Sequence, residues 1–234
     1  MFSTYYGGIR VDAELVRSWV EGWVVSRGAA PPVAEAWGLT VVVGLTGQVT
    51  RHVLPDANES LVRKLTETAT APGTWLKLFL PPQTVAPWVA PGWRFDDDGF
   101  LMSAPLHPTA AEAPEGYQVR TWARGGVTRV LVLTEDGEFA ARGQVAVPSP
   151  GRTAVVDQVE TSPAHRRRGL GGLVMRTLEN ATVAAGSSTA VLAATTEGQA
   201  LYESLGWRTH GPLTSLVCDG PPQTLTTFER RCVG

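Results

Sequence analysis

The stretch that decides how this chain is read is Ser162–Ala181, "SPAHRRRGLGGLVMRTLENA". Arg166, Arg167 and Arg168 run into Gly169, Leu170, Gly171 and Gly172. A helical pattern follows to about Ala185, carrying Leu173, Met175, Leu178 and Val183, and Gly186 ends it. Upstream, "TAVVDQVET" (Thr153–Thr161) reads as a strand with Val155, Asp157, Val159 and Thr161 on one face. Strand, tight loop and helix together bring unpaired main-chain N–H groups and the positive end of a helix dipole to one point. Such a helix mouth binds anions, phosphate above all. Glycines let a phosphate approach the main chain closely, and the arginines add attraction. No Gly-Lys-Ser/Thr follows, so this is not a Walker loop, and the spacing is not the G-x-G-x-x-G of dinucleotide folds.

The elements around this stretch form an order. "YQVRTW" (Tyr117–Trp122), "VTRVLVLT" (Val127–Thr134) and "EFAARGQVAV" (Glu138–Val147) read as strands, the last two joined by the Glu135–Gly137 hairpin signal "EDG". "TAVLAAT" (Thr189–Thr195) is a buried-type strand and "EGQALYESLG" (Glu197–Gly206) a short helix. "WRTHGPLTSLVC" then closes the chain's second half with a strand. The order β-β-β-β-α-β-α-β predicts an α/β (α+β) unit around a mostly antiparallel sheet.

With 234 residues, 43% of them hydrophobic, the chain can bury a sizeable core and falls between one and two typical domains. A formal net charge of −2 excludes a nucleic-acid binder held by bulk electrostatics. Cys218 and Cys232 have neither a disulfide-framework nor a metal-ligand spacing, which favours a reduced, cytoplasmic setting. The N-terminal residues show no basic segment leading into a long apolar run, so no signal peptide is expected. The longest apolar runs, "LTVVVGL" and "VTRVLVL", are strand-sized, so no membrane span is expected either. His52, His107 and His210 are isolated from Asp, Glu and Cys, and no metal site is read.

The motif resembles the acyl-CoA signature of the GNAT superfamily of N-acetyltransferases. There a strand leads into R/Q-x-x-G-x-G/A and a helix, here Arg166 to Gly171, with Pro163 where the family often has proline. Downstream, "TTEGQALYESLGW" is similar to the family's N-x-x-A-x-x-L-Y-x-x-x-G-F. Leu201, Tyr202, Gly206 and Trp207 match, Thr195 stands where asparagine is usual, and Gly198 where alanine is usual. The resemblance covers about Tyr117–Cys218. It implies acetyl-CoA as cosubstrate, with the main chain of Val159 and Thr161 along the pantetheine arm. It places the amides of Val159 and Glu160 at the thioester carbonyl, and the N–H groups of Arg167 to Gly172 on the pyrophosphate. Thr195 would be a further cofactor contact and Tyr202 the proton donor to the leaving thiolate. The acceptor would be a primary amine of a small molecule, attacking directly. A non-catalytic acyl-CoA-binding regulator and an anion- or nucleotide-binding module remain the alternative classes.

Asp157 is the candidate general base, because desolvation in an apolar strand would raise its pKa toward a useful range. A structural ion pair or hydrogen-bond network is the other reading of the same carboxylate. His165, beside the loop, is expected to touch phosphate or nothing.

"TAAEAPEGY", from Thr109, is the linker candidate. It sets a boundary between residues 1–110 and 111–234. The first half echoes the second. A helix at Asp12–Ser26 precedes a hairpin over Gly38–Leu54, a helix Glu59–Ala69, a strand Thr74–Leu80, a strand "GFLMSAPL", and a Gly-Trp-Arg at Gly92–Arg94 that matches Gly206–Arg208. Its loop "LPDANES" (Leu54–Ser60) has no glycine or arginine and carries Asp56 and Glu59, which predicts a degenerate copy that does not bind CoA. Only Ala123–Gly126 separates the strands ending at Trp122 and starting at Val127, where the family usually has helices that help build the acceptor site. The first half is therefore expected to supply that wall. The sequence leaves monomer and homodimer equally open.

Overall fold

The computed structural model describes residues 10–149 and 152–220. Residues 1–9, read above for a leader peptide, and Cys232 lie outside this range. In the first half, α1 (Ala13–Arg27) is capped by the Asp12 carboxylate, which accepts from Glu14 N at 2.9 Å. It stops at Gly28, whose φ of 62° is the left-handed conformation that glycine adopts without strain. β1 (Val33–Glu35), β2 (Gly38–Leu45), β3 (Gln48–Leu54), α2 (Glu59–Thr68), β4 (Thr74–Leu78), α3 (Pro82–Val85), β5 (Trp93–Phe95) and β6 (Gly99–Pro105) follow. The second half runs β7 (Tyr117–Arg124), β8 (Val127–Thr134), β9 (Phe139–Ala146), β10 (Ala154–Thr161), α4 (Leu170–Ala184), β11 (Thr189–Thr195), α5 (Thr196–Ser204) and β12 (Arg208–Cys218). No helix connects β7 to β8. Gly125 and Gly126, at φ 60° and 76°, make the turn between them. β1 was not expected: its three residues are all exposed and carry no alternation to read.

The strands form one mixed sheet in the order β1-β2-β3-β4-β12-β6-β11-β10-β9-β8-β7, with β5 also paired to β12. The two halves exchange strands. β6, the last strand of the first half, lies between β11 and the start of β12, pairing Thr189–Thr195 on one side and Arg208–Leu213 on the other. Reciprocally, the end of β12 (Thr214–Cys218) lies between β4 and β5. A boundary at residue 110 therefore divides the chain in sequence while each half completes the other's sheet in space.

Helices cover both faces. On one, α4 and α5 pack Leu170, Leu173, Val174, Met175, Leu178 and Tyr202 against the second half's strands. On the other, α1 buries Val16, Trp19, Val20, Trp23 and Val24 between Leu39, Val41 and Val53 of the first half and Val155 and Val191 of the second. α2 and α3 cover β3, β4 and β12 with Val62, Leu65 and Val85. Among the described residues no helix is long and apolar enough to cross a membrane.

Candidate functional site

β10 and β11 run parallel, but their register holds only at Ala154–Val155 against Ala190–Val191. Beyond that point β10 stays with β9 and β11 with β6, so the two strands part and a main-chain edge of β10 is left without a partner strand among the described residues. The register of β10 with β9 also jumps between Asp157 and Glu160, where Gln158 takes φ 55°. A non-glycine residue there costs ~1 kcal/mol or more, offset in part by Gln158 N donating to Asp157 Oδ1 at 2.9 Å. The extra residue breaks the alternation. Asp157 bonds to α1, whereas Val159 packs on the α4 side beside the cluster holding Val156. The expectation that Asp157 and Val159 share a face is thus corrected, and no residue in "VVDQVET" announces the bulge.

The splay opens into a cleft of about 880 Å³. Its lining gathers Asp157, Val159, Glu160, Thr161, Arg166, Arg167, Gly169, Leu170, Gly171, Gly172, Thr195 and Tyr202. Gly169, at φ 76°, is the N-cap of α4, with no side chain bonded to the first-turn N–H groups and no acid in that turn. The mouth of α4 is therefore a set of unpaired donors facing the cleft. A Cβ on Gly171 would stand 2.9 Å from Leu201 Cδ2, so glycine lets the loop close against α5.

Arg168 turns away from the cleft. Its Nη1 donates to the Tyr117 hydroxyl at 3.0 Å, and that hydroxyl is 3.0 Å from His165 Nδ1. His165 is buried, edge-on to the Tyr117 ring. The short 3₁₀ turn Pro163–His165 directs it inward, so it braces the loop from beneath instead of meeting a phosphate.

Tyr202 is buried on α5 beside Trp207, and its hydroxyl makes no hydrogen bond to the described residues. Burial, and then the charge of Asp157, pushes its pKa up to about 12. Thr195 caps α5, its Oγ1 accepting from Gly198 N at 3.1 Å. A Cβ on Gly198 would come within 3.1 Å of the Tyr202 ring, so glycine makes room for that ring. Both departures from the resembled motif thus have internal partners.

Asp157 is not an isolated carboxylate among apolar neighbours. Arg27, from the last turn of α1, donates to Oδ2 through Nε at 2.5 Å and to Oδ1 through Nη2 at 2.9 Å. Ser26 Oγ adds a bond to Oδ2 at 2.8 Å, and Gln144 Nε2 in turn donates to Ser26 Oγ at 2.7 Å. Arg27 also lines the cleft. The sequence pairs no feature of α1 with a strand 130 residues away, so this residue was missed. Glu160 is exposed and ion-paired with Arg142 at 2.8 Å.

The corresponding place in the first half is closed. Asn58 caps α2 by accepting from Leu61 N at 3.0 Å, and Glu59 occupies the first turn. β3 and β4 stay in parallel register from Thr50–Leu54 to Thr74–Leu78, with no splay.

The sequence model of the Acetyltransferase (GNAT) family matches residues 99–207, beginning at the exchanged strand β6. Comparison with curated proteins gave no match. Among solved structures, the chain is similar to a GCN5-related N-acetyltransferase from Kribbella flavida, at 16% identity and a TM-score of 0.62 over 92% of this chain and 97% of that one. A putative GNAT acetyltransferase from Novosphingobium aromaticivorans aligns at 22% identity and TM-score 0.54, covering 88% and 97%. A tandem GNAT protein from the clavulanic acid biosynthesis pathway aligns at 14% identity and TM-score 0.52, covering 90% and 96%. These likenesses share the fold, and the family match spans the splayed strands, the open helix mouth and Tyr202: over residues 99–207 the chain is similar to the GNAT acetyltransferase family.

Proposed function

We propose that the chain moves an acetyl group from acetyl-CoA to a primary amine of a small molecule or amino-acid derivative, by direct attack in a ternary complex. The observation that carries this is one cleft into which the uncapped mouth of α4, the unpaired edge of β10 and the free hydroxyl of Tyr202 all open. The donor set fits the cosubstrate. First-turn N–H groups of α4, with Arg166 and Arg167, suit a pyrophosphate, and a splayed strand edge suits the amide-bearing pantetheine arm. Tyr202, neutral at working pH, would hydrogen-bond the departing sulfur. Asp157 is assigned to hold Arg27 and the end of α1 at the cleft. A base role would need a lone pair that four donors do not already contact.

The first half is read as a degenerate GNAT-like copy that does not bind CoA. Its capped, acidic helix mouth, its zipped strands and the reciprocal strand exchange support that reading. α1 of this copy covers the face of the catalytic half that lacks its own helices. The acceptor is taken to be a free small molecule, with no nucleic-acid or membrane partner, reached in the cytoplasm by a monomer or homodimer.

Isothermal titration with acetyl-CoA and with ATP, followed by thiol release over an amine panel, tests the proposal. Selective acetyl-CoA binding with amine-dependent thiol release is expected; equal affinity for ATP would sink it. Two variants refine it. Gly171→Asp should weaken acetyl-CoA binding about 30-fold, because a carboxylate would sit among donors meant for phosphate. Its melting temperature should fall by no more than a few degrees, because the new Cβ displaces only the mobile end of Leu201 and an acid at a helix N-terminus returns ~0.3–1 kcal/mol. Binding of acetyl-pantetheine, which lacks the pyrophosphate, should be nearly unchanged. Asp157→Asn and Arg27→Met should each lower kcat/KM by roughly tenfold, with the double variant no worse than either single one. A far larger loss confined to Asp157→Asn would restore it as the base.

A further inference from the structure

Arg51 on β3 is 7% exposed and packs its guanidinium over the Trp23 indole, with Cζ 3.8 Å from the ring centroid. None of the described residues accepts a hydrogen bond from it, and its Nε is sealed from solvent without a partner. The Nη nitrogens, equally unbonded among the described residues, are not sealed. Burying a guanidinium without an anion is unfavourable by more than stacking on an indole returns. Asp157, a carboxylate whose charge reaches Arg51, is already held by Arg27, Ser26 and Gln158 N.

Arg51 does not itself line the cleft, but it lies two contacts from a residue that does. Trp23 carries Arg51 on its ring and has the Arg27 guanidinium 5.8 Å from the same ring, and Arg27 lines the cleft. This is the α1 side of the sheet, opposite the face covered by α4. Lys77, on the neighbouring strand, shares the face of Arg51, because Arg51 is paired with Trp75. Burial first, and then the Arg51 charge, pushes the Lys77 ammonium down to about 7 against the opposing charges of Asp96, Asp97 and Asp98, and it donates to Ser215 Oγ. Lys77 can therefore shed its charge near neutral pH, while Arg51 cannot. Arg51, stacked on Trp23 with no anion bonded to it among the described residues, is the cation that calls for a negative charge.

Resting on the acetyl-transfer reading, we propose that Arg51 anchors a carboxylate of the acceptor, so that the substrate is an aminocarboxylic acid. Its carboxylate binds on the α1 side at Arg51 and its amine reaches the splay between β10 and β11. A phosphate dianion would leave a charge unmatched. The first half then has a function after losing its cofactor site: its strand β3 supplies the acceptor's counter-charge.

The test uses the full chain and acceptors that differ only in the carboxylate: 5-aminopentanoate against butylamine, and phenylalanine against phenethylamine. The wild type should favour the acid in at least one pair by tenfold or more in kcat/KM. Arg51→Met, which keeps the stacking length, should abolish that preference, and Arg51→Lys should restore part of it. Acetyl-CoA binding serves as the control for folding. A wild type without preference, or a preference intact in Arg51→Met, overturns the anchor. Should acetyl-CoA bind but no amine turn over, the transfer reading fails and the anchor is judged by titrating pentanoate into CoA-saturated protein. Binding at least tenfold weaker in Arg51→Met supports the anchor; no binding to the wild type overturns it. Tighter binding of inorganic phosphate than of pentanoate overturns the choice of carboxylate.

Discussion

A fragment of residues 113–234, which retains the whole Arg166–Gly172 loop, α5 and Tyr202, should be insoluble or unfolded when expressed alone. Removing the first half deletes β6 from between β11 and β12, so both strands lose their ladder partner along its length. Leu101 and Met102 leave with it, both fully buried. Losing the packing of one such side chain costs ~2–5 kcal/mol, against a total stability of ~5–15 kcal/mol for an ordinary domain. α1 is also lost, which bares Val155 and Val191 on the face it covers. A longer fragment, 99–234, restores β6 but not α1, and its exposed apolar face should drive aggregation. Co-expression of residues 1–112 with 113–234 should recover soluble protein as a non-covalent pair, because every exchanged strand is then present. Sedimentation and far-UV circular dichroism decide the matter. A soluble, fully active 113–234 fragment would refute both the structural argument and the assignment of a substrate wall to the first half.

The same contrast between local and distant determinants explains which parts of the site were legible in the sequence. The mouth of α4 is written in consecutive residues: Gly169 sets the left-handed cap, and the lack of a capping side chain or first-turn acid is visible in Gly169 to Gly172. Tyr202 was legible through its spacing to Leu201, Gly206 and Trp207. The bulge at Gln158 was not, because a strand with one extra residue has the same composition as one without. Neighbours in sequence also misled at Arg168 and His165, which look like loop residues but turn toward Tyr117. The Arg27–Asp157 pair and the Arg51–Trp23 stack were out of reach for a different reason. Each depends on how α1 lies between two parts of one sheet, and that follows from the strand exchange. Periodicity predicts that α1 has a buried face, not which strands receive it.

Replacing Tyr202 by phenylalanine should lower kcat about 100- to 1000-fold while leaving the KM for acetyl-CoA within a factor of about three. The hydroxyl faces the cleft without a partner among the described residues, so its removal leaves no donor or acceptor stranded and should not lower the melting temperature. Its pKa of about 12 lies above the ~8.5 of an ordinary thiol. Complete transfer of the proton to a thiolate, before the tyrosinate is reprotonated, would thus be uphill by roughly 5 kcal/mol. In the proposed reaction the effective arrangement is a hydrogen bond that strengthens as charge grows on sulfur; the neutral amine attacks, and a proton of the ammonium so formed ends on the thiol through the hydroxyl. The pH profile follows from the sign of the shift. In the proposed role Tyr202 works in its protonated form, and because its folded pKa is raised, that form persists until pH approaches about 12. Between pH 6 and 10 the wild type should therefore show no alkaline loss of kcat arising from this residue, and the phenylalanine variant should run parallel below it. An alkaline limb below pH 10 that disappears in Tyr202→Phe would place the titrating donor at Tyr202 with an ordinary or lowered pKa. That outcome would contradict the buried, Asp157-facing environment from which its role is argued.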